Sequence, residues 1–158
     1  MLAPTHLIFG ACAGLAAADA LNAPYPLALA GAGALAALLP DIDHPQGTLR
    51  QRLGIVGHVG LGWLSHRGIT HTLLALALVA AATWAIAPGP LAMAVAAGYG
   101  SHLVADMLTR QGLPVLWPLS SRSLHLVPAP LRMRAGSFSE SLMFVMLLVA
   151  LWGLYANI

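Results

Sequence analysis

Lysine is absent from this chain, and cysteine occurs once. Cys12 lies between Ala11 and Ala13 in an apolar stretch, so no internal disulfide forms and the thiol reads as a small core residue. Charge of either sign is scarce. Only 8% of the 158 residues are charged, against roughly 25% in an average soluble domain. A net charge of +2, carried by seven arginines, makes too weak a field to gather nucleic acid, so any meaning lies in where those arginines sit. A basic leading region and a processing site are also lacking, so the first helix is expected to stay with the protein. No Gly-x-Ser-x-Gly elbow and no phosphate loop are present, which argues against serine-nucleophile and nucleotide chemistry.

What the chain has in abundance is apolar sequence, 59% of its residues. Runs near 69–87, 90–101 and 141–156 each approach the ~20 residues that cross a bilayer as helix. The pattern predicts an all-α, polytopic membrane bundle in one domain over 1–158, with about five transmembrane helices at 5–21, 25–39, 69–87, 91–108 and 139–157. Pro24 and Pro26, Pro40, and Pro88-Gly89-Pro90 punctuate them. Small residues such as Gly10, Gly14, Gly31 and Gly33 favour close helix approach. Ser137 or Ser139 is placed to cap the last helix. The first two spans are short, about 22 Å each at 1.5 Å per residue, so their ends are expected below the membrane surface. A Pro-rich segment between helices 4 and 5, with Trp117, Leu119, Leu124, Leu126 and Val127 among prolines and arginines, suits the headgroup region and a lid over a site.

The arginines segregate. Arg50, Arg52 and Arg67 fall between helices 2 and 3, and Arg110, Arg122, Arg132 and Arg134 between helices 4 and 5, while the opposite connections carry none. The positive-inside rule then predicts a multi-pass protein of the inner (plasma) membrane, with its N-terminus cytoplasmic and its C-terminus outside. Membrane lipids are its expected partners, and its oligomeric state is not legible.

The same bookkeeping gathers the other polar residues. His6 starts helix 1, Asp41, Asp43 and His44 follow helix 2, His66 and His71 introduce helix 3 with His71 in its first turn, His102 and Asp106 end helix 4, and Glu140 starts helix 5. All lie on the arginine-rich side; only Asp19, beside Asn22, lies at the other, as a helix-end residue. A preference for helix ends alone would populate both faces, so a shared site is expected. His102 and Asp106, four apart, share a helix face behind an apolar stretch where ionisable groups are costly without a partner. Mixed imidazole and carboxylate donors suit one or two divalent transition metal ions, zinc first and manganese or iron next, better than calcium. His58 and His125 have no partner at ligand spacing and are expected at solvent or an interface.

Thr5-His6 opening a small-residue helix, Leu39-Pro-Asp-Ile-Asp-His44, His66-Arg-Gly-Ile-Thr-His71, Gly100-Ser-His-Leu-Val-Ala-Asp106 followed by Thr109, and Trp117-Pro118 together resemble the YdjM-type membrane-bound metal-dependent hydrolases. The resemblance spans residue 5 to about 140. It implies a hydrolase with metal ligands at His6, Asp41, Asp43, His71, His102 and Asp106, and leaves the substrate open. From the chemistry of such a centre, His66 or His44 is a candidate for proton transfer, and Glu140 for base, ligand or first-turn carboxylate. Arg67 and Arg134 are candidates for holding an anionic group through paired hydrogen bonds. The expected reaction is cleavage of a phosphoester or ester of a lipid or other anionic substrate. The competing classes are a metal or proton transporter, disfavoured by the apolar outer halves of the helices, and a non-catalytic scaffold locked by metal.

Overall fold

The structure, a computed structural model, describes residues 1–43 and 68–157, and of Asp43 the backbone alone. Among these residues the fold is all-helical, with no strand. Five α-helices follow in order: α1 Ala3–Ala20, α2 Pro26–Ala36, α3 Leu73–Ile86, α4 Pro90–Met107 and α5 Phe138–Ala156. Proline stands in the first turn of α1, α2 and α4, where its fixed φ suits a helix start and its missing N–H costs no bond. Asn22, at φ 47, and Gly89, at φ 98, take the left-handed backbone that reverses the chain after α1 and α3.

Two boundaries depart from the sequence expectation. Helix 2 stops at Ala36, and Pro40–Asp43 winds instead into a 3-10 turn, since proline cannot continue the hydrogen-bond ladder. Helix 3 starts late because Thr72 is extended (φ −120, ψ 158) and its Oγ1 accepts from Ala75 N at 3.1 Å. His71 therefore lies in the separate 3-10 turn Ile69–His71 rather than in the first turn of α3.

Among the described residues one helix, α5, is long and apolar enough to cross a membrane by length and composition, while α2 and α3 are apolar but shorter. Large apolar side chains face outward along α3 and α5, including Leu78, Trp84, Met146, Val149 and Trp152. Such a surface needs a covering of lipid or protein.

The inner frame is α1, α2 and α4, held together at glycines. A Cβ at Gly98 would stand 2.6 Å from Gly33 Cα, closer still to its carbonyl oxygen, so only hydrogen fits between α4 and α2. Gly10 and Gly14 bring α1 onto the same stretch of α2 around Gly33. His6 lies one turn before Gly10 and His102 one turn after Gly98, so this junction brings the two imidazoles together at one end of the bundle. Beyond α4 the chain folds back on that end. Thr109 pairs with Met133 and Leu113 with Leu124, while Leu113 and Val115 bury against Tyr99, Leu103 and Ala75.

Candidate metal centre

Four elements deliver five donor side chains to the Gly98 end of the bundle: His6 from α1, Asp41 from the turn after α2, His71 from the turn before α3, and His102 and Asp106 from α4. The three histidines are fully buried and Asp106 nearly so, whereas the Asp41 side chain is 27% exposed. The His6 and His102 rings stack with centroids 3.8 Å apart, and His71 meets His102 edge-on at 5.2 Å.

The backbone decides which nitrogens are free. His102 Nδ1 lies 2.7 Å from the Ala37 carbonyl, which can only accept, so Nδ1 carries the proton and Nε2 keeps its lone pair. That lone pair faces His71 Nε2 at 3.3 Å. His71 Nδ1 is 3.0 Å from Thr70 Oγ1, a hydroxyl that can accept, which lets His71 present a second lone pair to the same point. Asp41 Oδ1 completes a triangle, 3.7 Å from His71 Nε2 and 3.9 Å from His102 Nε2. Donors on one tetrahedral ion at about 2.1 Å lie about 3.4 Å apart. The triangle is that size, slightly open.

A second group joins the first at its inner side. His6 Nε2 is 3.4 Å from Asp106 Oδ1, yet neither ring nitrogen of His6 has a hydrogen-bond partner among the described residues. Leaving a buried polar group unsatisfied costs about 1–3 kcal/mol, and a cation among these donors would remove that cost. His6, Asp41 and His102 form one set within ligand reach, and His71, His102 and Asp106 another. Sharing His102, they make one continuous donor pocket for an ion or a close pair. Burial alone would raise the Asp41 carboxyl, but the imidazoles of His71, His102 and His6 around it favour its anion and hold it at about 2. It is an anion at any ordinary pH.

Of the six ligands that the resemblance implies, five are thus gathered, and the Asp43 side chain lies outside the described residues, as do His44, His58, His66 and Arg67. Glu140 stands apart from the donor groups. Its Oε1 accepts from Leu2 N at 2.7 Å and Thr5 Oγ1 at 3.0 Å, and its Oε2 from Gly136 N at 2.7 Å, which ties the start of α1 to the start of α5. Ser137 occupies the N-cap position without a capping side-chain bond, and pairs instead with Ser139 Oγ. Arg134 is exposed, and His125 Nε2 lies 3.2 Å from the Arg110 carbonyl, away from the cluster.

Sequence reasoning missed the groups that orient the donors: the Ala37 carbonyl, Thr70, and Tyr99, whose hydroxyl donates to the Thr70 carbonyl. Only Tyr99 left a signal, a phenol one helical turn before His102 in an otherwise apolar run.

Fold and cluster together define a helical-bundle protein with a buried His/Asp group able to hold a metal at one end. The family described as YdjM inner membrane protein matches residues 1–157, and the chain belongs to it. It is 34% identical over 151 residues to the uncharacterized protein YvsG of Bacillus subtilis (strain 168), covering 95% of this chain and 91% of the relative. It is 36% identical over 130 residues to the inner membrane protein YdjM of Escherichia coli (strain K12), covering 75% of this chain and 66% of that protein. No solved structure matches the chain.

Proposed function

We propose that this protein is a multi-pass inner-membrane hydrolase, metal-dependent, with its centre at the cytoplasmic membrane surface, cleaving a phosphoester or ester of a lipid or other anionic substrate. The observation that carries the reading is the triangle of Asp41 Oδ1, His71 Nε2 and His102 Nε2, with sides of 3.3, 3.7 and 3.9 Å, backed by His6 and Asp106. A divalent transition metal there, zinc first and manganese or iron next, supplies Lewis acidity toward an ester or phosphoryl oxygen and activates water near neutral pH. The chain's own residues do the rest. Ala37 and Thr70 fix the imidazole orientations, burial of His6, His71, His102 and Asp106 keeps bulk water from those donors, and the partly exposed Asp41 marks the side from which substrate approaches. His66 or His44 transfers a proton to the leaving group, and Arg67 and Arg134 hold its charge.

Membrane placement follows from the family's name, the apolar outer surface of α3 and α5, and the segregation of the seven arginines into two connections on one side. Five spans then put the N-terminus in the cytoplasm and the C-terminus outside. The exposed Leu116, Trp117, Leu119 and Leu126 of the Pro-rich segment suit the interface beside the site.

A second reading has its own support: four of the five donors are almost fully buried, as in a structural metal site that locks helices and performs no chemistry. Elemental analysis of the protein purified in detergent, paired with a screen of phosphoesters and lipid esters, separates the two. The hydrolase reading expects metal-dependent turnover of an anionic ester. Bound metal with no turnover across the screen supports the scaffold instead.

A further inference from the structure

Next to the Asp106 end of the donor pocket lies a cavity of about 330 Å³, lined among others by Met1, Thr109, Arg110, Met133 and Arg134 and by no acidic side chain. Thr109 joins the two spaces, lining the cavity while its Oγ1 donates to the Asp106 carbonyl at 2.7 Å. The cavity is at the small end of the roughly 300–1,000 Å³ typical of small-molecule sites. Its cationic wall is set by backbone register. Thr109 pairs in parallel with Met133, Arg110 N donates to the Met133 carbonyl at 3.0 Å, and Met133 N donates to the Leu108 carbonyl at 3.0 Å. The next residues in that register are Arg110 and Arg134, set side by side.

Two like charges in neighbouring positions on paired backbones repel. Neither guanidinium has a hydrogen-bond or ion-pair partner among the described residues, although Arg132 in the same segment donates from Nε to the Val127 carbonyl. Two planar forks lining one cavity beside a His/Asp centre are the arrangement that accepts a group with two negative charges and several oxygens.

We propose that this cavity binds a phosphomonoester group through Arg110 and Arg134. The proposal rests on the hydrolase reading, whose substrate class it narrows, and it makes Arg110 a specificity residue that sequence reasoning did not select. A single carboxylate brings one negative charge to two guanidiniums and leaves one positive charge uncompensated. A phosphomonoester engages both. The group belongs either to a lipid headgroup or to a small soluble phosphate.

The test is binding to metal-stripped full-length protein, so that no turnover enters the readout. Two probes are titrated: glycerol phosphate against protein in uncharged detergent micelles, and phosphatidic acid against phosphatidylcholine in nanodiscs. At least one phosphomonoester probe is expected to bind, with phosphatidic acid preferred if the source is lipid. Arg110→Gln and Arg134→Gln should each weaken it about tenfold or more. Arg110→Lys should lose part of that, and Arg122→Gln, on an exposed arginine outside the cavity, should leave binding unchanged. Metal uptake by each variant after reloading certifies its fold. The proposal is overturned if neither probe binds, if Arg110→Gln and Arg134→Gln bind like wild type, or if Arg122→Gln weakens binding equally. Binding with the expected pattern but no hydrolysis after metal reloading supports this site and refutes the hydrolase reading.

Discussion

Replacing Gly98 by alanine places one methyl group where α4 touches α2, a full helical turn from His102. The added Cβ would lie 2.6 Å from Gly33 Cα and closer still to the Gly33 carbonyl oxygen, whereas ordinary Cβ contacts begin near 3.4 Å, so the helices must part by at least about 0.8 Å. Both obstructing groups are backbone and cannot rotate away. The bond from His102 Nδ1 to the Ala37 carbonyl, 2.7 Å long and carried by those same two helices, then stretches toward the limit of a hydrogen bond. Overpacking costs about 1–3 kcal/mol of stability. Loss of an orienting partner costs about 10–100-fold in metal affinity. Competition against a chelator of known affinity reads the second quantity, and thermal melting in detergent reads the first. Gly31→Ala is the control, because nothing lies within 4 Å of the Cβ it would add. If Gly98→Ala binds metal and melts like wild type, the glycine junction does not position His102.

Removing a donor outright should release metal: His102→Ala and Asp106→Ala purify metal-poor by elemental analysis, while His125→Ala, outside the cluster, keeps its metal. Metal affinity should fall as the pH is lowered from 8 to 5, because protons compete with the metal for the imidazole nitrogens. The Asp41 carboxylate, held at about 2, stays charged across that range, and its own contribution is lost only as pH falls through that much lower value. Chelator competition from pH 8 to pH 5 measures this. Glu140→Ala removes a carboxylate that accepts three hydrogen bonds. At about 1.5–3 kcal/mol for each bond to a charged group, it should lower the melting temperature clearly while the purified variant still holds metal. A reporter fused after Asn157 should read as outside the cytoplasm, and a cytoplasmic signal there would remove one of the five proposed spans.

The helices were legible because proline or glycine stands at most ends of the apolar runs, and the fold is all-helical among the described residues. Their exact ends were less so. Thr72 breaks the run ahead of α3 by capping it, and a threonine inside an apolar stretch carries no sign of which side of the boundary it will take. The donors were legible through chain direction, since antiparallel helices return residues such as His6 and His102 to one end although 96 positions separate them. The orienting groups were not. The Ala37 carbonyl acts only because Gly33 and Gly98 let two backbones touch, and a carbonyl has no signature in a sequence. Arg110 and Arg134 become neighbours through a register that two isolated backbone pairings set, in a segment with no strand periodicity to announce it.

Whether His6, Asp41, His71, His102 and Asp106 together hold a metal ion is read by quantitative elemental analysis of the protein purified in neutral detergent. Wild type should carry one or two equivalents of a divalent transition metal per chain, with a large loss in His102→Ala, the residue common to both donor groups. A folded wild-type protein that carries no metal and takes up none when offered zinc, manganese or iron, or a His102→Ala variant that retains the full complement, would contradict it.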